Sequence, residues 1–332
     1  MGNLFYGTLL IGILFWGYGQ NATAQDPLYS QYFAAPLQLN PALTGLVDAP
    51  VFTLNYRNQW SQIPNGYATY AASYNQYVPN LNSGFGALVE ADVAGQGLFA
   101  TYRVGLFYAY DIRFNKRFYI RMGLEANAVN ARLDQSQLVF LDQLSVGGPP
   151  TPSSEAPAVP SITYFDAGMG ALVNTPYFYV GLGLKHLNTP QVAFTTNNAD
   201  GSTALPLRLV VHAGSELALN PRKVGQWKSF ITPTALFVKQ GAFHQLQLGG
   251  YARHKIILGG IWFRHTFSNA DAVIWMLGIQ KGIVKLTYSY DWTVSALASA
   301  TGGSHEIALT FNLLNERKRY QNRYNDCLEI FR

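Results

Sequence analysis

The chain has 332 residues, of which 12% are charged and 14% aromatic, and a formal net charge of +5. A soluble domain so poor in charge would leave large apolar patches in water, yet no stretch of the mature chain reaches the roughly 20 apolar residues of a membrane-spanning helix. The basic residues are scattered except near the C-terminus, which excludes a nucleic-acid-binding stripe and leaves lipid contact through strands as the leading explanation.

Leu9 to Trp16 form a short apolar core, and Ala22-Thr23-Ala24 fits a small-x-small cleavage site. Residues 1–24 are therefore expected to be a signal peptide, with the mature chain starting at Gln25. The leader lacks the usual early Lys or Arg, which leaves an uncleaved inner-membrane anchor as the other reading. Either way the chain is exported.

Residues 25–48 contain DPLYSQYFAAPLQLNPALTG, from Asp26 to Gly45, which carries no charge after Asp26 and matches neither the helical nor the strand period. Pro27, Pro36 and Pro41 favour turns and extended backbone, while Tyr29, Tyr32, Phe33, Leu37 and Leu39 can pack on an inner wall or a periplasmic mouth. Gln31, Gln38 and Asn40 can satisfy buried backbone groups. We expect a plug-like segment; the alternative is a disordered periplasmic leader, which would seldom hold so many large apolar residues.

Residues 49–314 read as short alternating segments. In the segment from Tyr102 to Ile112, Tyr102, Val104, Leu106, Tyr108, Tyr110 and Ile112 share one face, and Arg103, Gly105, Phe107, Ala109 and Asp111 share the other. The same pattern sets Ile120, Met122 and Leu124 against Arg121, Gly123 and Glu125. It also sets Leu286, Tyr288 and Trp292 against Lys285, Ser289 and Asp291, and Ile307 and Leu309 against Glu306 and Ala308. A soluble sandwich would alternate too, so periodicity does not choose between them. Aromatic residues at segment ends, the leader and the low charge favour a transmembrane antiparallel β-barrel.

About fourteen segments are expected, near Val51, Tyr67, Gly84, Phe99, Phe118, Ile162, Phe178, Leu207, Phe230, Gln245, Ile256, Ala272, Val284 and His305. The two longest links, Leu133 to Pro160 and Asn188 to Pro206, have the same parity and share a side. Links of the other parity are tight at Asn115-Lys116, Asn174-Thr175-Pro176 and Arg253-His254-Lys255, with Asn220 to Lys228 a longer exception. The proline-rich stretch Gly147 to Pro160 cannot join a ladder and reads as an exposed loop, available for partner contact. Residues 315–332 follow the closing strand as a periplasmic tail, with Arg317, Lys318 and Arg319 as either a solvated end or a docking peptide. Cys327 cannot form an intrachain disulfide, and reads as an incidental tail thiol or one modified in assembly.

No HExxH, CxxC, GxSxG or P-loop pattern is present, the six histidines lie apart, and no cofactor or metal is expected. Arg57, Glu90, Asp92, Arg103, Asp111, Arg121, Glu125, Lys185, Lys285, Asp291 and Glu306 would face the lumen, with both signs represented. Mixed charge points to cross-bracing of an occluded interior rather than a one-sign ion pathway, although paired carboxylates in a lumen can mimic an acid/base site.

The stretch QDPLYSQYFAAPLQLNPALTG resembles the N-terminal signature of the PorP/SprF family of outer-membrane proteins of the type IX secretion system of the Bacteroidota. The resemblance is carried by Asp26, Pro27, Gln31, Tyr32, Asn40, Pro41 and Gly45, and continues in YRNQW (Tyr56 to Trp60), in FDAGMGALVNTPYFYVGLGLKHLNTP (Phe165 to Pro190) and in SHEIALTF (Ser304 to Phe311). The ending CLEIF is similar too, with Leu328 where the family often has proline. The resemblance implies a non-enzymatic protein of the Gram-negative outer membrane, and the link parity, with the tight links toward the periplasm, places both termini on the periplasmic side. Its role would be in secretion or gliding. Its partners would be outer-membrane lipid and either a secreted adhesin's C-terminal domain or type IX secretion components. Two other classes stay open: a channel for apolar or small solutes, and an outer-membrane enzyme using Glu90, Asp111 or Glu125.

Overall fold

The computed structural model describes residues 26–64, 66–115, 118–139, 143–144, 159–194, 204–219, 229–267, 269–295, 301–314 and 327–331. The expected leader, residues 147–158 of the proline-rich loop, the Asn220 to Lys228 link and the basic residues Arg317, Lys318 and Arg319 lie outside them.

The strands follow in chain order as β1 (Val51–Gln59), β2 (Tyr67–Val78), β3 (Ser83–Ala94), β4 (Phe99–Arg113) and β5 (Tyr119–Leu133). Then come β6 (Ser161–Asn174), β7 (Phe178–Lys185), β8 (Arg208–Ser215), β9 (Leu217–Ala218) and β10 (Phe230–Gln240). The series ends with β11 (Phe243–His254), β12 (Ile257–Thr266), β13 (Asn269–Lys281), β14 (Val284–Thr293) and β15 (Ser304–Asn312). Every pairing is antiparallel; β1 pairs with both β2 and β15, so the sheet closes on itself. β8 and β9 lie end to end on one edge of β10, interrupted opposite Pro233, which has no N–H to give to a ladder. They make one barrel strand, and the closed barrel has fourteen.

The alternation resolves into an inside and an outside. In β4, Tyr102, Val104, Leu106, Tyr108 and Tyr110 are exposed while Arg103, Phe107, Ala109 and Asp111 are buried. Met122 and Leu124 of β5, Leu286, Tyr288 and Trp292 of β14, and Ile307 of β15 are likewise exposed, against buried Arg121, Glu125, Lys285, Asp291 and Glu306. An apolar exterior around a charged interior is the arrangement of a transmembrane barrel, and a closed sheet leaves no edge unpaired in hydrocarbon. Among the described residues no helix is long and apolar enough to cross a membrane.

Links 134–160 and 186–207 leave from one end of the barrel, the long-link end, and links 175–177, 255–256 and 282–283 turn at the other. Residues 26–50 precede β1. They form one α-turn at Pro36–Leu39 between 3-10 turns at Tyr32–Ala34 and Pro41–Leu43, and nearly every residue from Tyr29 to Val47 is buried. Their contacts are with inward-facing side chains and glycines of the strands. Asp26 sits against His186 and Arg208 at the long-link end, whereas Cys327 and Phe331 meet Asn174 and Tyr179 at the short-link end. Asp26 and residues 327–331 thus lie in opposite halves of the barrel.

Candidate functional site in the barrel interior

Three polar clusters and a glycine floor hold residues 26–46 against the wall. At the first cluster, Ser30 Oγ accepts from Arg57 Nη1 (2.8 Å) and Arg264 Nη1 (2.9 Å) and donates to Asp291 Oδ2 (2.5 Å). The backbone N–H groups of Ser30 and Gln31 donate to the two carboxylate oxygens of Glu306 (2.6 and 2.8 Å), and Gln247 Nε2 donates to Ser30 O (3.1 Å). Arg57 also pairs with Glu306, and Arg264 with Asp291 (2.9 Å). The amide groups of an uncharged stretch thus complete the coordination of buried charges contributed by β1, β12, β14 and β15.

The second cluster is built on Asp26. Its carboxylate meets His186 Nε2 (2.6 Å), Arg208 Nη1 (3.4 Å) and Arg103 Nη2 (3.6 Å), and Arg103 also pairs with Glu90 (3.5 Å). His186 Nδ1 meets Asp166 Oδ1 (3.0 Å), so both ring nitrogens face carboxylates. Burial works against a charged imidazole, but the bonds to Asp166 and Asp26 outweigh it and push the His186 pKa up to about 9. Burial would likewise raise Asp26, yet the bond to His186 and the charges of His186, Arg103 and Arg208 hold it well below the usual carboxylate range. His186 adopts φ 59°, the left-handed region that a non-glycine residue seldom occupies. That turn swings the chain off β7 and aims the ring at Asp26 and Asp166.

The third cluster joins β4 and β5 to the segment's end. Arg121 pairs with Asp111 (2.9 Å) and donates to Ala42 O (2.9 Å) and Thr44 O. Nearby, Glu125 pairs with Lys185 (3.1 Å). Between the clusters, Asn40 accepts from Ala42 N (2.9 Å) through Oδ1, capping the turn that Pro41 opens. Its Nδ2 donates to Ala171 O and Leu182 O (3.2 Å each) and to His212 Nε2 (3.1 Å). The wall has no side chains where this turn presses on it. A Cβ on Gly123 would meet the backbone of Pro41 and Ala42, and one on Gly170 would meet Asn40 and Pro41. Gly45 (φ 68°) closes the stretch by lying against Gly84 and the carbonyl of Gln76.

Of the signature residues, Asp26, Gln31, Asn40, Pro41 and Gly45 make these contacts. Tyr32 is buried and packs edge-on against Phe33 (5.8 Å between ring centres), which stacks on Trp262 (5.4 Å). Pro27 is half-buried. Glu90 pairs with Arg103, which it shares with Asp26, while Asp111 pairs with Arg121 and Glu125 with Lys185. Among the described residues no group of His, Cys, Asp and Glu is placed to hold a metal ion. Sequence reasoning missed Ser30, Asp166, His186, Arg208 and Arg264. The KHLNTP stretch carrying His186 was the one available signal.

Of the tail, residues 327–331 are described, and they pack against the barrel. Cys327, Leu328, Ile330 and Phe331 are buried, the Cys327 thiol is 3.4 Å from Asn174 Oδ1 and 3.3 Å from Thr175 O, and Arg253 pairs with Glu329 (3.1 Å). Phe331 packs edge-on against Tyr179 (5.4 Å), closing residues 327–331 onto the short-link end.

The sequence profile of the type IX secretion system membrane protein PorP/SprF matches residues 21–311, from before Asp26 into β15. The chain belongs to the PorP/SprF family. No curated protein matches it. Among solved structures, the toluene transporter TbuX of Ralstonia pickettii is similar at a TM-score of 0.50 and 12% identity, covering 84% of this chain and 93% of TbuX. A FadL homologue of Pseudomonas aeruginosa covers 82% of this chain and 92% of its own at 12% identity, with a TM-score of 0.41. At such identity the likeness to TbuX is one of fold, and the fold is that of an outer-membrane barrel. This PorP/SprF protein is therefore an outer-membrane component of type IX secretion, associated with the secretion machinery.

Proposed function

We propose that the protein acts without chemistry of its own, as a barrel sealed by its N-terminal segment, residues 25–48, acting as a plug. In this role it secretes or anchors a surface adhesin through the adhesin's C-terminal domain, or links the secretion machinery to periplasmic partners. The observation that carries this is the interior itself: Ser30, Gln31 and Asp26 serve as partners to charges from strands all around the barrel. Among the described residues, a cavity between the segment, β1 and β15 measures about 10 Å³, room for one water molecule. Ion pairing of Glu90, Asp111 and Glu125 with cations of the barrel wall favours bracing over acid/base catalysis. The short links are taken to face the periplasm, as in other bacterial barrels. Residues 315–332 then belong to that side, and Asp26 to the outer half of the barrel 49–314, once residues 1–24 have been removed.

The test is reconstitution of the intact protein. It should neither conduct ions in planar bilayers nor take up small apolar solutes, and cross-linking in cells should join it to a secreted protein or a secretion component. Solute uptake without such a cross-link would replace this reading with a channel for apolar or small solutes; TbuX is named as a toluene transporter.

A further inference from the structure

The outer wall of the barrel carries an apolar hollow of about 260 Å³ across β4, β5, β6 and β7. Tyr108, Met122, Leu124, Met169 and Leu182 stand around it, all exposed, and Ala171 is the small side chain among them that makes the hollow. Its floor includes the backbone of Gly123 and Gly170, whose inner sides are the ones filled by Pro41 and Asn40. The floor cannot sink inward, because the signature turn already occupies that space, so the hollow is preformed. It lies within six residues of the short-link ends of β4 and β6, and so in one leaflet.

We propose that this hollow is a seat for one acyl chain of a glycerophospholipid from the leaflet on the short-link side. Hydrophobic driving force is absent between a wall and lipid that are equally oily; shape and dispersion decide retention there. A flat stretch of wall offers a chain contact on one side, whereas a hollow with a rigid glycine floor and large rims surrounds it. Met122 and Met169 can adjust their side chains to the chain's path. The continuous apolar exterior leaves lipid as the medium that fills the hollow, and the choice of phospholipid over lipopolysaccharide rests on the orientation proposed above.

The experiment is native mass spectrometry of the full-length protein released from outer-membrane extracts, comparing wild type with Ala171→Phe. Wild type should retain one phospholipid. The variant should lose on the order of ten carbon–carbon contacts and retain about tenfold less. Leu106→Phe, on the same exterior but outside the hollow, should behave as wild type. Heat-modifiable gel mobility checks the fold, and Met169→Trp replaces Ala171→Phe if that variant fails to fold. Equal retention in the hollow-filling variant and wild type overturns the seat. Retention of lipopolysaccharide or an acylated protein instead of phospholipid overturns the assignment of the occupant, while conductance and cross-linking report on the plug reading separately.

Discussion

Ser30 shows how little sequence signal a decisive contact can have. It is one hydroxyl in a stretch without charge, yet it bridges Arg57, Arg264 and Asp291. Hydrogen bonds to charged groups contribute about 1.5–3 kcal/mol each, whereas an exposed ion pair contributes little, so the buried bridge matters more than the count of salt bridges. The Asp26–His186–Asp166 contact adds a pH dependence. His186 has its folded pKa raised from 6.5 to about 9, so its contribution is complete below about pH 6.5 and is lost as pH climbs through about 9; it is on the order of 3 kcal/mol. Asp26 is lowered, so its share is present above its ordinary pKa of 3.8 and is lost as pH falls toward its depressed value. Thermal unfolding in detergent between pH 6 and 9.5 should therefore show wild type losing stability and converging on His186→Gln, whose profile should be flatter. Parallel profiles would remove His186 from the latch.

The corner where β7 leaves β6 uses a side chain as a rung. The ladder between these strands runs only from Met169↔Leu184 to Asn174↔Tyr179. Beyond it Leu187 N donates to Ala167 O (2.9 Å), and the Asn188 amide accepts from Ala167 N (3.1 Å) and donates to Phe165 O (2.7 Å), as a backbone peptide group would. Asn188→Ala should abolish hydrogen-exchange protection at Ala167 and cost about 1–2 kcal/mol, leaving the β5–β6 ladder protected. Unchanged protection would show that the rung is redundant. The strands themselves were legible, each starting within three residues of its expected position, because a two-residue period with turn residues between is a local signal. The interior was legible only as a set of inward charges. Glu306 lies 276 residues from Ser30, and nothing local marks that pairing. Inward glycines were likewise ambiguous, since nothing in the sequence around Gly123 and Gly170 marks the Asn40–Pro41 turn that lies against them.

Taken whole, the barrel and its N-terminal segment are electrostatically incomplete without each other. Among the described residues the carboxylate that meets Arg208 is Asp26, and Arg121 divides its donors between Asp111 and the carbonyls of Ala42 and Thr44. Removing residues 26–46 would strand Arg208 and leave Arg121 with Asp111 alone in a closed, charged lumen. Leaving a buried charge without its partner costs about 3–5 kcal/mol, and an empty lumen avoids that cost by admitting water. A protein lacking residues 26–46 should therefore still form a heat-modifiable barrel, because the strand ladder and apolar exterior are intact, but unfold at lower temperature and conduct ions where the full chain does not. Closure without the segment would mean that other residues fill the lumen. Conduction by the full chain would mean that the segment leaves a path, and in either case residues 25–48 would not be the plug.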